Sequence, residues 1–201
     1  MHPAYRRICL STLIFISLPT GAKCAASAPT TGLGACIDRV AASSDLATRQ
    51  IVNLGYRFSY GQGSYIDYVS KTIYIQSYDC SAGDEASLRH RLSALAHELG
   101  HAEYGVRQDT TSRTAYIQSW CDTEGYAVIN NMRVRTEILA CSQSSTDIGL
   151  SASNPAELLH IHSTSKESIR DIGRSFCLNN FTSTTGQNYI EYYGRYYDAN
   201  Y

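Results

Sequence analysis

Two histidines four residues apart, with a glutamate directly after the first, place the heaviest demand on how this chain can fold. His97-Glu98-Leu99-Gly100-His101 has the form H-E-x-x-H and sits inside a stretch, about Asp84 to Tyr104, that reads as a helix. On an α-helix, residues four apart lie on one face, one turn above each other. His97 and His101 can therefore offer two imidazole nitrogens to one metal ion, with Glu98 beside them to take a proton from a water activated there. At about 100° per residue, Leu88, Leu92, Leu95 and Leu99 fall in one narrow stripe and both histidines fall roughly opposite. Such a helix needs a core on one side and a cleft on the other.

Two imidazoles do not fill a zinc site, which takes a third protein ligand and leaves a fourth position for water. The next long helical stretch, about Thr114 to Cys141, supplies a candidate. Glu124 lies amid Ile117, Trp120, Cys121, Ala127, Val128, Ile138 and Leu139 on an apolar face. A lone carboxylate is costly to bury there unless something positive neutralises it, and a metal ion does so. Gly125 beside it lets the helix approach a neighbour closely. The alternative is a salt bridge from Glu124 to Arg135, three turns on along the same face. Asp109, in the loop after the first helix, is a weaker rival ligand. Glu103 points away from the histidines and reads as a solvated charge.

The pentapeptide on a helix resembles the signature of the zincin metallopeptidases. The metzincin branch would continue with Gly and His where Tyr104 and Arg107 stand, which excludes it. A glutamate on the following helix, Glu124-Gly125-Tyr126-Ala127, is similar to the gluzincin pattern. That resemblance covers roughly residues 56–127. It implies Zn²⁺ held by His97, His101 and Glu124, Glu98 as general base, and a sheet whose edge strand binds substrate.

The first residues read as an export signal. Arg6 and Arg7 precede an apolar run from Ile8 to Leu18, then Pro19, Gly21 and small residues, too short to span a bilayer comfortably. The expected division is a secretory signal peptide over 1–26 and one domain over 27–201, a length that buries a real core. Of the cysteines, Cys36, Cys80, Cys121, Cys141 and Cys177 then remain, without a C-x-x-C pair, which argues against a cysteine-based zinc site. In an oxidising compartment they predict two disulfides and one free thiol. Cys141 with Cys177 is the pairing favoured here, because each ends a predicted helix. With a formal net charge of −1 for the full chain and no basic cluster interleaved with aromatics, nucleic acid is excluded as a partner. Stable membrane insertion after signal cleavage is not expected.

Periodicity fills in the remainder. Residues 33–54 read as one or two helices ending at Gly55. From Tyr56 to Tyr78 the period changes to two, predicting a small antiparallel sheet with strands near 56–60, 64–69 and 72–78. Its tyrosines read as strand packing or as an edge that pairs with an extended peptide. Ser142–Pro155 reads as a loop; helices come after it over 155–162 and 165–178. Tyr189, Tyr192, Tyr193, Tyr196 and Tyr197 recur at helical spacing in an amphipathic tail helix. His160, His162 or one of these tyrosines is a candidate to stabilise an oxyanion.

The fold class expected is α+β, mostly helical, with the small sheet preceding the active-site helix. The function expected is a secreted or periplasmic zinc peptidase acting on a peptide or protein. Two alternatives stand beside it. One is an amide hydrolase acting on cell-wall peptides, including an antibacterial toxin; the other is a zinc-stabilised binding module without turnover.

Overall fold

The helical stretch after Leu33 breaks at Ala42–Ser44 because Ser44 takes an extended conformation and caps a second helix. Its Oγ accepts from the Ala47 N–H at 3.0 Å, which is what an N-cap serine supplies. Two helices result, α1 (Ala35–Ala41) and α2 (Asp45–Asn53). This computed structural model describes residues 27–201; the signal peptide expected over 1–26 lies outside them. Strands β1 (Arg57–Gly61), β2 (Tyr65–Asp67) and β3 (Thr72–Gln76) come next, then a 3₁₀ turn at Cys80–Ala82. Five helices complete the chain: α3 (Glu85–Tyr104), α4 (Arg113–Cys141), α5 (Pro155–Thr164), α6 (Ser168–Asn179) and α7 (Tyr189–Asn200).

The α+β class, mostly helical with one small sheet in a single domain, is as expected. The strand pairing is not purely antiparallel. The spatial order is β1-β3-β2, with β1 parallel to β3 and β2 antiparallel to β3. The physical reason lies in the two connections. Ser70-Lys71 closes a tight β2–β3 turn, with Lys71 at φ 49°. The Gly61–Ser64 segment instead carries β2 two strand spacings from β1, leaving a slot that β3 fills. Period-two alternation reports that a residue run is a strand; it does not report its neighbour.

The core explains how α3 is held. Ile73 and Ile75 of β3 are fully buried against Leu92, Leu95 and Leu99 of α3, together with Ile37, Leu46 and Ile51 of the first two helices. Leu88 packs on the same cluster, partly buried. So the leucine stripe faces the sheet and the first helices, as its spacing predicts. The opposite side of α3 is covered too, since every residue from Leu92 to His101 is buried.

Helix α4 is the central beam, packed on α2, α3, α6 and α7. Against α6 the two backbones nearly touch: a Cβ at Gly125 would overlap the Ile169 carbonyl, and one at Gly173 would overlap the Cys121 carbonyl. Gly125 therefore does permit a close approach, and the neighbour is α6. The crossing is locked by the Cys121–Cys177 disulfide.

The second described bridge, Cys36–Cys80, ties α1 to the turn before α3. The expected Cys141–Cys177 pairing is thus incorrect, because α6 crosses the early part of α4. Cys141 lies about 30 Å further along that helix at 1.5 Å per residue. Cys141 is itself disulfide-bonded, so the expected free thiol is not found there. No helix of the described residues is long and apolar enough to cross a membrane.

The Cys36–Cys80 bridge closes a loop with a sequence separation of 44. Replacing both cysteines with serine is expected to cost about 2–4 kcal/mol, mainly by freeing the unfolded chain. Thermal unfolding under oxidising conditions checks this; an unchanged midpoint would contradict it.

Candidate metal centre

Ten consecutive buried residues at the end of α3 include four polar ones: Ser93, His97, Glu98 and His101. Each must find a partner or carry a penalty. Ser93 donates to Asn131 Oδ1 at 3.0 Å. The two histidines turn to Glu124, which α4 brings opposite them. His97 Nε2 lies 3.2 Å from Glu124 Oε2, His101 Nε2 lies 3.3 Å from the same oxygen, and the two Nε2 atoms are 3.2 Å apart.

This triangle fits a metal ion better than it fits hydrogen bonding alone. Two facing imidazole nitrogens at that separation share at most one proton, and their lone pairs otherwise repel. Ligands of a tetrahedral zinc with bonds of about 2.0–2.1 Å stand about 3.3–3.4 Å apart, close to all three sides observed. Two neutral nitrogens and one carboxylate oxygen also form the donor set that suits such an ion. The buried His97, His101 and Glu124 group can hold a metal ion. Neither Nδ1 has a hydrogen-bond partner among the described residues, so each ring's polar contacts are concentrated on the Nε2 side. Packing orients the His97 ring instead, stacked on Phe176 with centroids 5.3 Å apart.

Glu124 is held by more than the histidines. The Tyr193 hydroxyl, from α7, donates to Oε1 at 2.6 Å and leaves Oε2 for the shared point. Burial acts to raise the Glu124 pKa, but the two imidazoles, His101 first, pull it well below the usual carboxylate range. Burial likewise opposes charge on His101, and Glu124 and Glu98 outweigh it. Glu98 itself is 7% exposed. Burial pushes its carboxyl upward, with the two imidazoles partly offsetting this and Glu124 adding to it. Desolvation, then Glu124, pushes the Tyr193 hydroxyl far above its ordinary pKa, so it stays a donor.

The α3–α4 geometry rests on residues that motif spacing does not reveal. A Cβ at Gly100 would stand 2.7 Å from both Ala127 Cα and Asn130 Cβ, so the glycine within the pentapeptide sets how closely α4 approaches. Asn130 donates to the Ala96 carbonyl at 2.7 Å and exchanges bonds with Gln50. Asn131 accepts from Ser93 and from the Ser151 N–H. An adjacent pair of asparagines in the middle of a long helix was the available signal, since such residues are poor helix formers without an external partner.

The other sequence candidates lie elsewhere. Arg135 pairs with Asp147 through two 2.6 Å bonds, not with Glu124. Asp109 is exposed and accepts from Thr111. Glu103, exposed as expected, accepts from Gln50. His160 and His162 are both exposed on α5 and do not line the cleft. Their two-residue spacing carries no information about distance from α3. Of the tail tyrosines, Tyr189, Tyr192, Tyr193 and Tyr196 line the cleft, and Tyr193 alone donates to Glu124.

A cleft of about 580 Å³ opens on Glu98, His101 and Glu124, between β2 and α7. Strand β2 pairs only with β3 among the described residues, so its outer edge faces this space. A smaller pocket of about 160 Å³ reaches His97 and Glu98. Ser64 and Ser183 line both, and Ser183 Oγ donates to the Ser64 carbonyl at 2.7 Å across the boundary.

Replacing Tyr193 with Phe removes the donor that orients Glu124. It is expected to weaken metal affinity by about 10–100-fold with little change in fold, because the ring still stacks on Trp120 at 5.3 Å. Competition against a chromophoric chelator checks this; unchanged affinity would contradict it. Comparisons of the chain with protein-family models, curated proteins and solved structures give no match.

Proposed function

We propose that the protein is an exported zinc-dependent hydrolase that cleaves peptide bonds, with His97, His101 and Glu124 as the metal ligands. The observation that carries this reading is the place of Glu98. It is buried beside the ligand triangle, contributes no atom to it, and lines both the large cleft and the smaller pocket. A zinc-stabilised binding module has no use for such a carboxylate.

Zinc held at that point supplies Lewis acidity and lowers the pKa of a bound water. The chain's own residues supply the rest. Glu98 accepts one proton from the attacking water as the new carbon–oxygen bond forms. It then passes that proton to the leaving nitrogen as the carbon–nitrogen bond breaks, which is general acid–base work by a single group. His97 and His101 are fixed by α3, Glu124 by Tyr193, and the β2 edge offers backbone groups to an extended substrate. Export accords with two disulfides among the described residues, which persist in oxidising compartments.

The test is cleavage of casein by the purified protein. Activity is expected in the wild type, lost on chelation, restored by zinc, and absent in Glu98→Gln. If both proteins bind zinc and neither cleaves casein or muropeptides, the binding-module reading replaces this one.

A further inference from the structure

The composition of the large cleft points to the kind of peptide it takes, an inference resting on the peptidase reading for the bond that is cut. Its walls are largely aromatic, with uncharged Ser, Thr and Gln side chains between: Tyr65 and Tyr68 come from β2 and its turn, Trp120 from α4, and Tyr189, Tyr192 and Tyr196 from α7. Among the described residues lining it there is no Lys or Arg. The charged or chargeable groups present are Asp67, Glu98, Glu124 and His101. Two of the three carboxylates belong to the proposed base and the ligand triangle, and a divalent ion held there would offset their charge.

Asp67 is already engaged. Its Oδ1 accepts from the Val69 and Ser70 backbone at 2.9 and 3.2 Å, and its Oδ2 from Ser70 Oγ at 2.7 Å. It therefore holds the β2–β3 turn and does not face a ligand as an unpaired anion. Meanwhile apolar side chains stand exposed along the rim: Val69 is 98% exposed, Tyr196 46% and Val106 40%.

A carboxylate brought into such a cleft loses its water and meets no cationic side chain, while the charge of the proposed ion is already matched by Glu98 and Glu124, so its entry is costly. A free substrate C-terminus meets the same penalty, and a free amino terminus finds no unengaged carboxylate outside the catalytic group. Aromatic and aliphatic side chains instead gain contact with ring faces whose hydroxyls tolerate a half-wet site. We propose that the cleft binds an uncharged internal segment of a polypeptide rich in aromatic and aliphatic residues, gripping neither chain end. Tyr196 and Val106 on the rim set this preference. Cell-wall stem peptides, which carry several carboxylates, are disfavoured by the same reasoning.

Trp120 is the single tryptophan of the chain and lines the cleft, so its fluorescence reports occupancy directly. The experiment titrates zinc-loaded Glu98→Gln with end-blocked peptides: one neutral and Phe/Tyr/Leu-rich, one with Glu placed on both sides of the centre, and the neutral one with a free C-terminal carboxylate. The neutral blocked peptide is expected to shift Trp120 emission and bind at least tenfold more tightly than the other two. In Val106→Lys, made in the same background, the Glu peptide should recover most of that tenfold.

Equal or tighter binding of the Glu peptide, a requirement for the free carboxylate, or no binding by any peptide would overturn the proposal. Wild-type cleavage of the same peptides is read separately by mass spectrometry. Binding in the expected order without cleavage would uphold this inference about the cleft and remove the hydrolase reading.

Discussion

Glu98→Gln is expected to lower kcat by roughly 10²–10⁴-fold while the protein still takes up its metal ion. The two outcomes separate because Glu98 shares a helix with the ligands yet lies outside the Nε2, Nε2, Oε2 triangle. Gln has the same shape and fills the same buried volume, so neither His97 nor His101 needs to move. It lacks a site for the proton of the attacking water. Burial opposes the charge on Glu98, so its neutral replacement should leave thermal stability equal or slightly raised. Steady-state cleavage beside a zinc titration decides the matter. Retained turnover would show that another group moves the proton, and lost zinc would place Glu98 among the ligands.

The largest stability effect is expected at the α4–α6 crossing. Ala at Gly173 would drive a methyl group into the Cys121 carbonyl, and Ala at Gly125 into that of Ile169. The obstacle in both cases is backbone, so no side-chain rotation relieves it. The crossing cannot simply open, because the Cys121–Cys177 bridge closes it and Phe176 must stay against His97. Overpacking of this kind costs about 3 kcal/mol or more, a fall of roughly 6–12 °C in Tm for a domain of this size. Gly173→Ala should also weaken metal binding through the displaced Phe176, while Gly186→Ala, whose Cβ meets nothing but whose φ of 67° disfavours a side chain, separates a loss of about 1 kcal/mol from backbone strain from the larger loss by overpacking. Calorimetric unfolding within a degree of wild type for Gly173→Ala would contradict the packing described.

The converging trio was legible because two separate arguments met on it. Helical spacing put His97 and His101 on one face, and the cost of burying a lone carboxylate singled out Glu124 on the next helix. The start of α3 was legible because a capping residue marks it, Asp84, whose side chain accepts from the Ser87 N–H. The features hidden from the sequence are mostly a matter of partners. Alternation identified three strands but not that β3 would slot between the other two. Two helix ends said nothing of whether Cys141 and Cys177 meet. The tyrosine face of α7 was evident, yet only the fold could single out Tyr193 as the donor to Glu124, because that contact joins residues 69 positions apart. Gly100 occupies one of the two unspecified positions of the H-E-x-x-H pattern; its role in seating α4 depends on which helix crosses there.

Purified wild-type protein stripped of metal and titrated with Zn²⁺ by calorimetry tests the ligand geometry most directly, alongside Glu124→Gln and His101→Ala. One ion per chain is expected for the wild type, with binding weakened by orders of magnitude in both variants while the far-ultraviolet spectrum stays helical. A wild type that takes up no ion, or variants that bind it as tightly as the wild type, would contradict the account.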